Sequence, residues 1–245
     1  YMDRIHLVEC PRDALQGWPH KISTEDKVAY YRSLLNVGFD TIDIGSFVSP
    51  NAVPSMANTA KVLSVIENEG MLPMPGTRIL VIVANERGAT QAAKFNTIDD
   101  IGFPLSLSET FQKKNTGASI EEAFSRLDNI QNICINNSKR LVVYLSMGFG
   151  NPYGDLWHPD MLTEFSDRLI NDINVKVIAL SDTVGTATDK VVEDAFSAVI
   201  TELPNVEFGA HLHLHATSGL TKIEAALRGG CLRFDGAIRG IGVCL

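Results

Sequence analysis

Short apolar runs alternate along this chain with longer stretches whose apolar residues recur every three or four positions. The first pattern is that of buried strands and the second that of helices with one buried face. The runs predict strands at Ile5–Cys10, Thr41–Gly45, Arg78–Ala84, Asp100–Ser106, Arg140–Ser146, Lys176–Ser181, Glu207–His213 and Arg233–Ile238. Between them the periodicity predicts helices starting near Ser23-Thr24, then over Met56–Asn68, Glu86–Lys94, Ser119–Asn136, Pro159–Asp172, Asp189–Glu202 and Leu220–Gly229. The stretches around Pro11 to Pro19 and from Ser106 to Ser119 read as loops. Arg78–Ala84 is almost uninterruptedly apolar, as a strand buried on both faces requires. Eight such repeats point to a (β/α)8 TIM barrel, one domain over residues 1–245, rather than an open doubly wound sheet. The helix after the eighth strand is not in the sequence, which ends at Gly242-Val-Cys-Leu245 inside a loop. The barrel therefore reads as truncated after its eighth strand, and more chain is expected.

Composition narrows the function classes. The chain has 245 residues, 45% hydrophobic and 20% charged, with a net charge of −8. An acidic chain without a Lys/Arg-rich run has no footprint for nucleic acid; Lys113-Lys114 is the one small basic spot. No apolar run reaches the 18 or so residues of a membrane span, and the first residues lack a signal-peptide pattern. Cys10, Cys134, Cys231 and Cys244 have no CxxC spacing, so reduced thiols in a cytoplasmic protein are the default. No Walker motif or GxGxxG follows the first strand.

The most informative stretch is Phe208-Gly-Ala-His-Leu-His-Leu-His-Ala216, with three of the six histidines at alternate positions. On a strand, His211, His213 and His215 would share one face. At about 3.3 Å per residue the outer two are about 13 Å apart, too far for one ion with bonds of about 2.1 Å. One adjacent pair is expected to bind, and a carboxylate is needed beside it. Barrel chemistry gathers at the C-terminal ends of the strands, where the sequence places Arg12, Asp13, Asp43, Ser46, Tyr144, Ser146, Ser181, Asp182 and Thr183. Strands seven, eight and one become neighbours when the barrel closes, so Asp13 can face the histidines. Two imidazoles and a carboxylate suit Mg2+, Mn2+ or Zn2+ as a Lewis acid. Arg12 is either an ion-pair partner of Asp13 or Asp43, or a group that polarises a carbonyl and stabilises an enolate. Asp43 orients Arg12, touches a metal-bound water or forms a structural salt bridge. Asp182 is a helix cap or a site residue. Cys244 is an ordinary thiol by spacing, on a Gly240-Ile-Gly242 turn able to swing over a mouth.

Taken together, the motifs resemble those of the hydroxymethylglutaryl-CoA lyase family, part of a superfamily of metal-dependent barrel lyases and aldol-type enzymes that includes isopropylmalate and homocitrate synthases. Pro11-Arg-Asp-Ala-Leu-Gln16 is similar to PRDGLQ, Ser46-Phe-Val-Ser-Pro50 matches SFVSP, and Lys113-Lys-Asn115 with Ser119-Ile-Glu-Glu122 follows KKN…SIEE. Gly150-Asn-Pro-Tyr-Gly154, Ser181-Asp-Thr-Val-Gly185 and Gly240-Ile-Gly-Val-Cys244 also have counterparts. The resemblance implies that Arg12 holds a thioester carbonyl and that Asp13 with two histidines binds Mg2+ or Mn2+. It further implies that Asp182 assists proton transfer, Cys244 is the mobile-loop thiol, and Asp43, Ser46 and Tyr144 line the substrate site. The family's HxHDTxG superficially fits His213-Leu-His-Ala-Thr-Ser-Gly219. Gapless counting back from Asp235 instead selects His211 and His213, with His215 as the fallback, because the other register deletes two residues inside a helix and rotates its buried face. Ala14 stands where the family has Gly, Asp43 where it has Glu, and Val243-Cys-Leu245 where it has Gly-Cys-Pro. The family's fourth ligand, an Asn beyond the cysteine, lies past the end of the sequence.

The expected activity is retro-Claisen cleavage of 3-hydroxy-3-methylglutaryl-CoA or a close analogue to acetyl-CoA and acetoacetate. The partner is an acyl-CoA, with no nucleic acid or membrane, and a homodimer is compatible with the sequence. The alternatives are a synthase condensing acetyl-CoA with a 2-oxo acid and an inactive CoA-metabolite-binding barrel.

Overall fold

The structure, a computed structural model, describes residues 4–214 and 219–240. Its strands are β1 (His6–Glu9), β2 (Thr41–Ser46), β3 (Arg78–Ile82), β4 (Asp100–Ser106), β5 (Arg140–Ser146), β6 (Val177–Asp182), β7 (Glu207–Leu212) and β8 (Arg233–Gly236). All pair parallel in sequence order, and β8 pairs back onto β1, closing the barrel. Among the described residues the helices are α1 (Pro11–Gln16), α2 (Thr24–Leu35), α3 (Thr59–Asn68), α4 (Glu86–Ala92), α5 (Glu109–Thr116), α6 (Ile120–Asn136), α7 (Asp160–Asn171), α8 (Asp189–Glu202) and α9 (Gly219–Arg228). No described helix is long and apolar enough to cross a membrane.

Every expected strand is present, and two short helices replace expected loops. The segment after β1 turns at once into α1, led by Pro11, whose fixed φ suits a first helical position. The segment after β4 forms α5, where the Ser108 hydroxyl caps the Phe111 amide and left-handed Gly117 (φ 65°) ends the helix. The Ser119–Glu122 motif proves to be a reciprocal capping box at the start of α6.

Strand parity divides the side chains. Ile79, Val81, Ile101, Phe103, Val143, Leu145, Ile178 and Leu180 point outward into the helix layer. Leu80, Val142, Tyr144, Val177 and Ala179 fill the barrel interior. In β2 the alternation breaks, because the register against β3 shifts between Asp43 and Gly45. This bulge leaves Asp43 inside and turns Ser46 into the mouth. A Cβ on Gly45 would come within 2.6 Å of the Thr59 side chain, so only glycine lets α3 start this close to β2.

The lower interior is ionic. Asp100, shielded from solvent, accepts hydrogen bonds from Arg78 (2.6 Å at Nη2) and Arg140 (2.8 Å at Nη2). Arg140 and Arg233 lie 3.7 and 3.5 Å from Glu207, and Arg233 reaches within 3.8 Å of Asp235. Gly209 makes room for the buried Arg233 stem, which passes 2.9 Å from where a Cβ would sit.

Candidate active site at the barrel mouth

β1 ends beneath the mouth and α1 begins without a connecting loop, so Arg12 and Asp13 are fixed at the strand's C-terminal edge. Arg12 is held on three sides. Its Nε and Nη2 donate to one Asp43 oxygen at 2.9 and 2.7 Å, and Nη1 donates to Asp13 at 2.9 Å and to Gln16 at 3.3 Å. The fork geometry of guanidinium makes this grip directional. Asp43 has no solvent exposure, and burial pushes its carboxyl up to about 6 although Arg12 pulls the other way. The paired carboxylates Asp43 and Asp13 hold Arg12 charged against the cost of its own burial.

His211, on β7, stands in register with Ser181 on β6 and Asp235 on β8. Its Nδ1 lies 3.3 Å from Asp235 Oδ2, and its Nε2 faces Asp13 Oδ2 at 3.8 Å. His213 follows the strand, and its Nδ1 lies 3.0 Å from the carbonyl oxygen of Thr183. A carbonyl only accepts, so this nitrogen carries the proton and Nε2 keeps its lone pair for a ligand. One donor atom from each of Asp13, His211 and His213 falls within 4.8 Å of the others. One carboxylate and two imidazoles, each imidazole oriented by an oxygen acceptor on its other nitrogen, fit a divalent cation.

A cavity of about 490 Å3 opens beside this trio, lined by Arg12, Ser46, Tyr144, Ser181, Lys114 and His211 among others. The Tyr144 hydroxyl and the Ser46 and Ser181 hydroxyls are buried without a hydrogen-bond partner among the described residues. Such groups cost free energy unless a ligand meets them. Burial, followed by the Asp235 charge, holds the Tyr144 phenol well above its usual range, so it is a neutral donor. A second cavity of about 660 Å3, reached from the other side, is lined by Cys10, Asp13, His211, His213 and Asp235.

The structure thus gathers Arg12, Asp13, Ser46, Tyr144, His211 and His213. Two of the expected residues stand back from the cavity walls. Asp43 lines neither cavity, and its carboxylate orients Arg12 from below rather than forming part of the substrate wall. Asp182 shares the outward parity of Ile178 and Leu180, and its carboxylate accepts from buried Lys222 Nζ at 2.8 Å and from the Ala187 amide. It ties the β6–α8 turn, whose Thr183 carbonyl orients His213, to α9. Its neighbour Ser181 faces the mouth instead. Cys244 and the fallback ligand His215 lie outside the described residues. Lys222 and Asp235 were not among the expected site residues. Asp235 had a usable signal, an inward parity on the strand next to the histidines.

Comparison with known proteins fits this geometry. The family model described as HMGL-like matches residues 5–244. The chain is 32% identical to the mitochondrial hydroxymethylglutaryl-CoA lyase of Macaca fascicularis over 98% of its own length and 72% of the relative's. It is equally 32% identical to the cytoplasmic 3-hydroxy-3-methylglutaryl-CoA lyase of Rattus norvegicus, covering 98% of this chain and 68% of that one. Among solved structures, the HMG-CoA lyase of Acinetobacter baumannii in complex with coenzyme A and 3-methylmalate superposes with a TM-score of 0.89 at 26% identity, covering 99% of this chain and 77% of that one.

Proposed function

The chain belongs to the HMGL-like family, and we propose that it is a carbon–carbon lyase cleaving 3-hydroxy-3-methylglutaryl-CoA to acetyl-CoA and acetoacetate. The observation that carries this reading is the clamped Arg12 beside the Asp13–His211–His213 trio at the rim of one cavity. The oxygen and nitrogen donors suit Mg2+ or Mn2+. When bound there, the ion supplies Lewis acidity that eases ionisation of the substrate's tertiary hydroxyl.

As the hydroxyl gives up its proton to water at the mouth and that oxygen's electron pair becomes the ketone of acetoacetate, the adjacent carbon–carbon bond breaks and its electrons pass to the thioester as an enolate. Arg12 holds the thioester oxygen, where the negative charge develops, and Asp43 and Asp13 keep the guanidinium from following it. A donor fixed before the reaction stabilises the transition state without paying for reorientation. Tyr144, Ser46 and Ser181 offer hydroxyls to the substrate's polar end. Lys114 lines the same cavity and places a positive charge beside a ligand that carries phosphates. Cys244 keeps the part given it by the resemblance, delivering a proton to the enolate carbon.

The test is acetoacetate formation from 3-hydroxy-3-methylglutaryl-CoA by the full-length protein with Mg2+ or Mn2+, then with EDTA. Metal-dependent product is expected. Absence of metal-dependent cleavage of any acyl-CoA would overturn the proposal.

A further inference from the structure

Beside the trio, and sharing His211 with it, lies a second cluster whose Cys10 the lyase reaction does not use. Cys10, His211 and Asp235 each bring one donor atom within 4.8 Å of the other two. They come from three adjacent strands' ends: Cys10 directly after β1, His211 on β7 and Asp235 on β8. The three are deeply placed, with Cys10 and His211 at 1% and 7% exposure. Asp235 Oδ1 is shielded from solvent and has no hydrogen-bond partner among the described residues, the nearest cation being Arg233 Nε at 3.8 Å. Cys10 Sγ has only a long 3.8 Å contact to the Val8 carbonyl. A thiol, an imidazole and a carboxylate form a softer donor set than the carboxylate and imidazoles of the trio, and soft donors select Zn2+ or Cd2+ over Mg2+.

We propose that Cys10, His211 Nδ1 and Asp235 form a second metal site for a thiophilic divalent ion, which competes with the ion at Asp13, His211 and His213. On binding, the ion displaces the Cys10 thiol proton to solvent while the His211 ring proton moves from Nδ1 to Nε2, and the ion takes one lone pair each from Cys10 Sγ, His211 Nδ1 and the Asp235 carboxylate.

Competition follows from the imidazole. A neutral imidazole has one lone pair, on one nitrogen. With Nδ1 protonated toward Asp235, Nε2 serves the trio's ion. With Nδ1 on the second ion, Nε2 carries the proton and is lost to the trio. An ion held there ionises the Cys10 thiol. The 660 Å3 cavity touches all three donors, so an ion reaches them without crossing the substrate pocket. The donor atoms are spread wider than tetrahedral bonds of about 2.1–2.3 Å demand, and side-chain shifts of about 1 Å close the difference.

The experiment is titration of the full-length protein with Cd2+, following the ultraviolet thiolate-to-cadmium charge-transfer band, together with binding of Mn2+. Wild type should show the band at one equivalent, with Mn2+ released as it grows. Cys10→Ser and Cys10→Ala should lose the band and bind Cd2+ on the order of tenfold or more weakly, while Mn2+ affinity stays within about twofold and the near-UV circular dichroism stays native. A band that survives in both variants would assign the thiolate to another cysteine and overturn the site. Absence of any band in wild type would overturn it too. Cd2+ and Mn2+ bound together with the band present would overturn the competition. None of these readouts depends on the lyase reading.

Discussion

Two aspartates, Asp100 and Asp43, lie buried in the same barrel with arginines against them, yet their charges are held differently. Asp100 sits low in the barrel and takes forked hydrogen bonds from two arginines, Arg78 and Arg140. Burial alone would raise its pKa, but the two arginines outweigh it and keep the carboxyl below the ordinary range. Asp43 sits under the mouth with a single arginine, which binds one of its oxygens while the other has no partner. There burial wins, and the carboxyl rises to about 6. The lower pair is saturated and closes the barrel floor. The upper pair is left short of partners, because Arg12 also has to serve a ligand. Stability and function are thus separated along the barrel axis by how many donors each carboxylate is given.

The strongest way to break this contrast is Asp100→Asn. It strands two arginines in the floor and should cost about 3–5 kcal/mol of unfolding free energy, measured by urea denaturation at neutral pH. The pH profile gives the sign. A carboxyl held below its unfolded value, near pH 4, contributes its full stability above that pH and loses it as the pH falls through the folded pKa. The wild type should show this acid loss and Asp100→Asn should lack it. Next is Arg12→Gln, which should fold but lower kcat by on the order of 10²–10³-fold, read as acetoacetate release at saturating metal.

Smaller in effect is Asp43→Asn. It should leave neutral-pH stability within about 1 kcal/mol of wild type while lowering kcat about tenfold or more through a loosened Arg12. The folded carboxyl holds a proton between roughly pH 4 and 6 that the unfolded chain releases. Its contribution to stability therefore falls as pH rises through that window, and the Asn variant should lose this slope. Equal losses for the Asp100 and Asp43 variants would show that the two pairs are not differently built. The smallest effect is expected for Lys222→Met, which frees Asp182 and the turn that orients His213. Mn2+ affinity should drop about tenfold with kcat at saturating Mn2+ nearly unchanged.

Much of the barrel was legible because parallel strands buried on both faces are continuous apolar runs, as at Arg78–Ile82 and Arg140–Ser146. Strand parity plus barrel closure pointed to one adjacent histidine pair facing Asp13, and the choice of His211 and His213 came from the family resemblance. What failed had local causes. α5 contains one deeply placed aromatic, Phe111, among polar residues, so its periodicity is faint and its caps decide it. Asp182 is the middle of the polar run Ser181-Asp182-Thr183, and its parity with Ile178 and Leu180, which sends it outward, was readable in the sequence. Ser46 is the opposite case. Simple alternation from Ile42 and Ile44 sends it outward, and only the bulge at Gly45 returns it to the mouth. Lys222 looks like any helix-surface lysine in sequence, since its burial depends on how α9 leans on the β6–α8 turn.

The closure of the barrel is also its thinnest wall. β1 and β8 are four residues each, and β1 pairs with β2 only through Val8 and Glu9, whereas β4 and β5 pair along seven residues. Arg12 stands on the β1 side of this short seam and Asp43 on the β2 side, and their hydrogen bonds span it. An ion between Asp13, which follows β1, and His211 on β7 ties the loosely held strand to the far side of β8 and acts as a staple. Amide hydrogen exchange should be fastest along this seam in the free protein and slow most there once the seam is stapled, so that occupancy of the site is recorded in the breathing of the barrel.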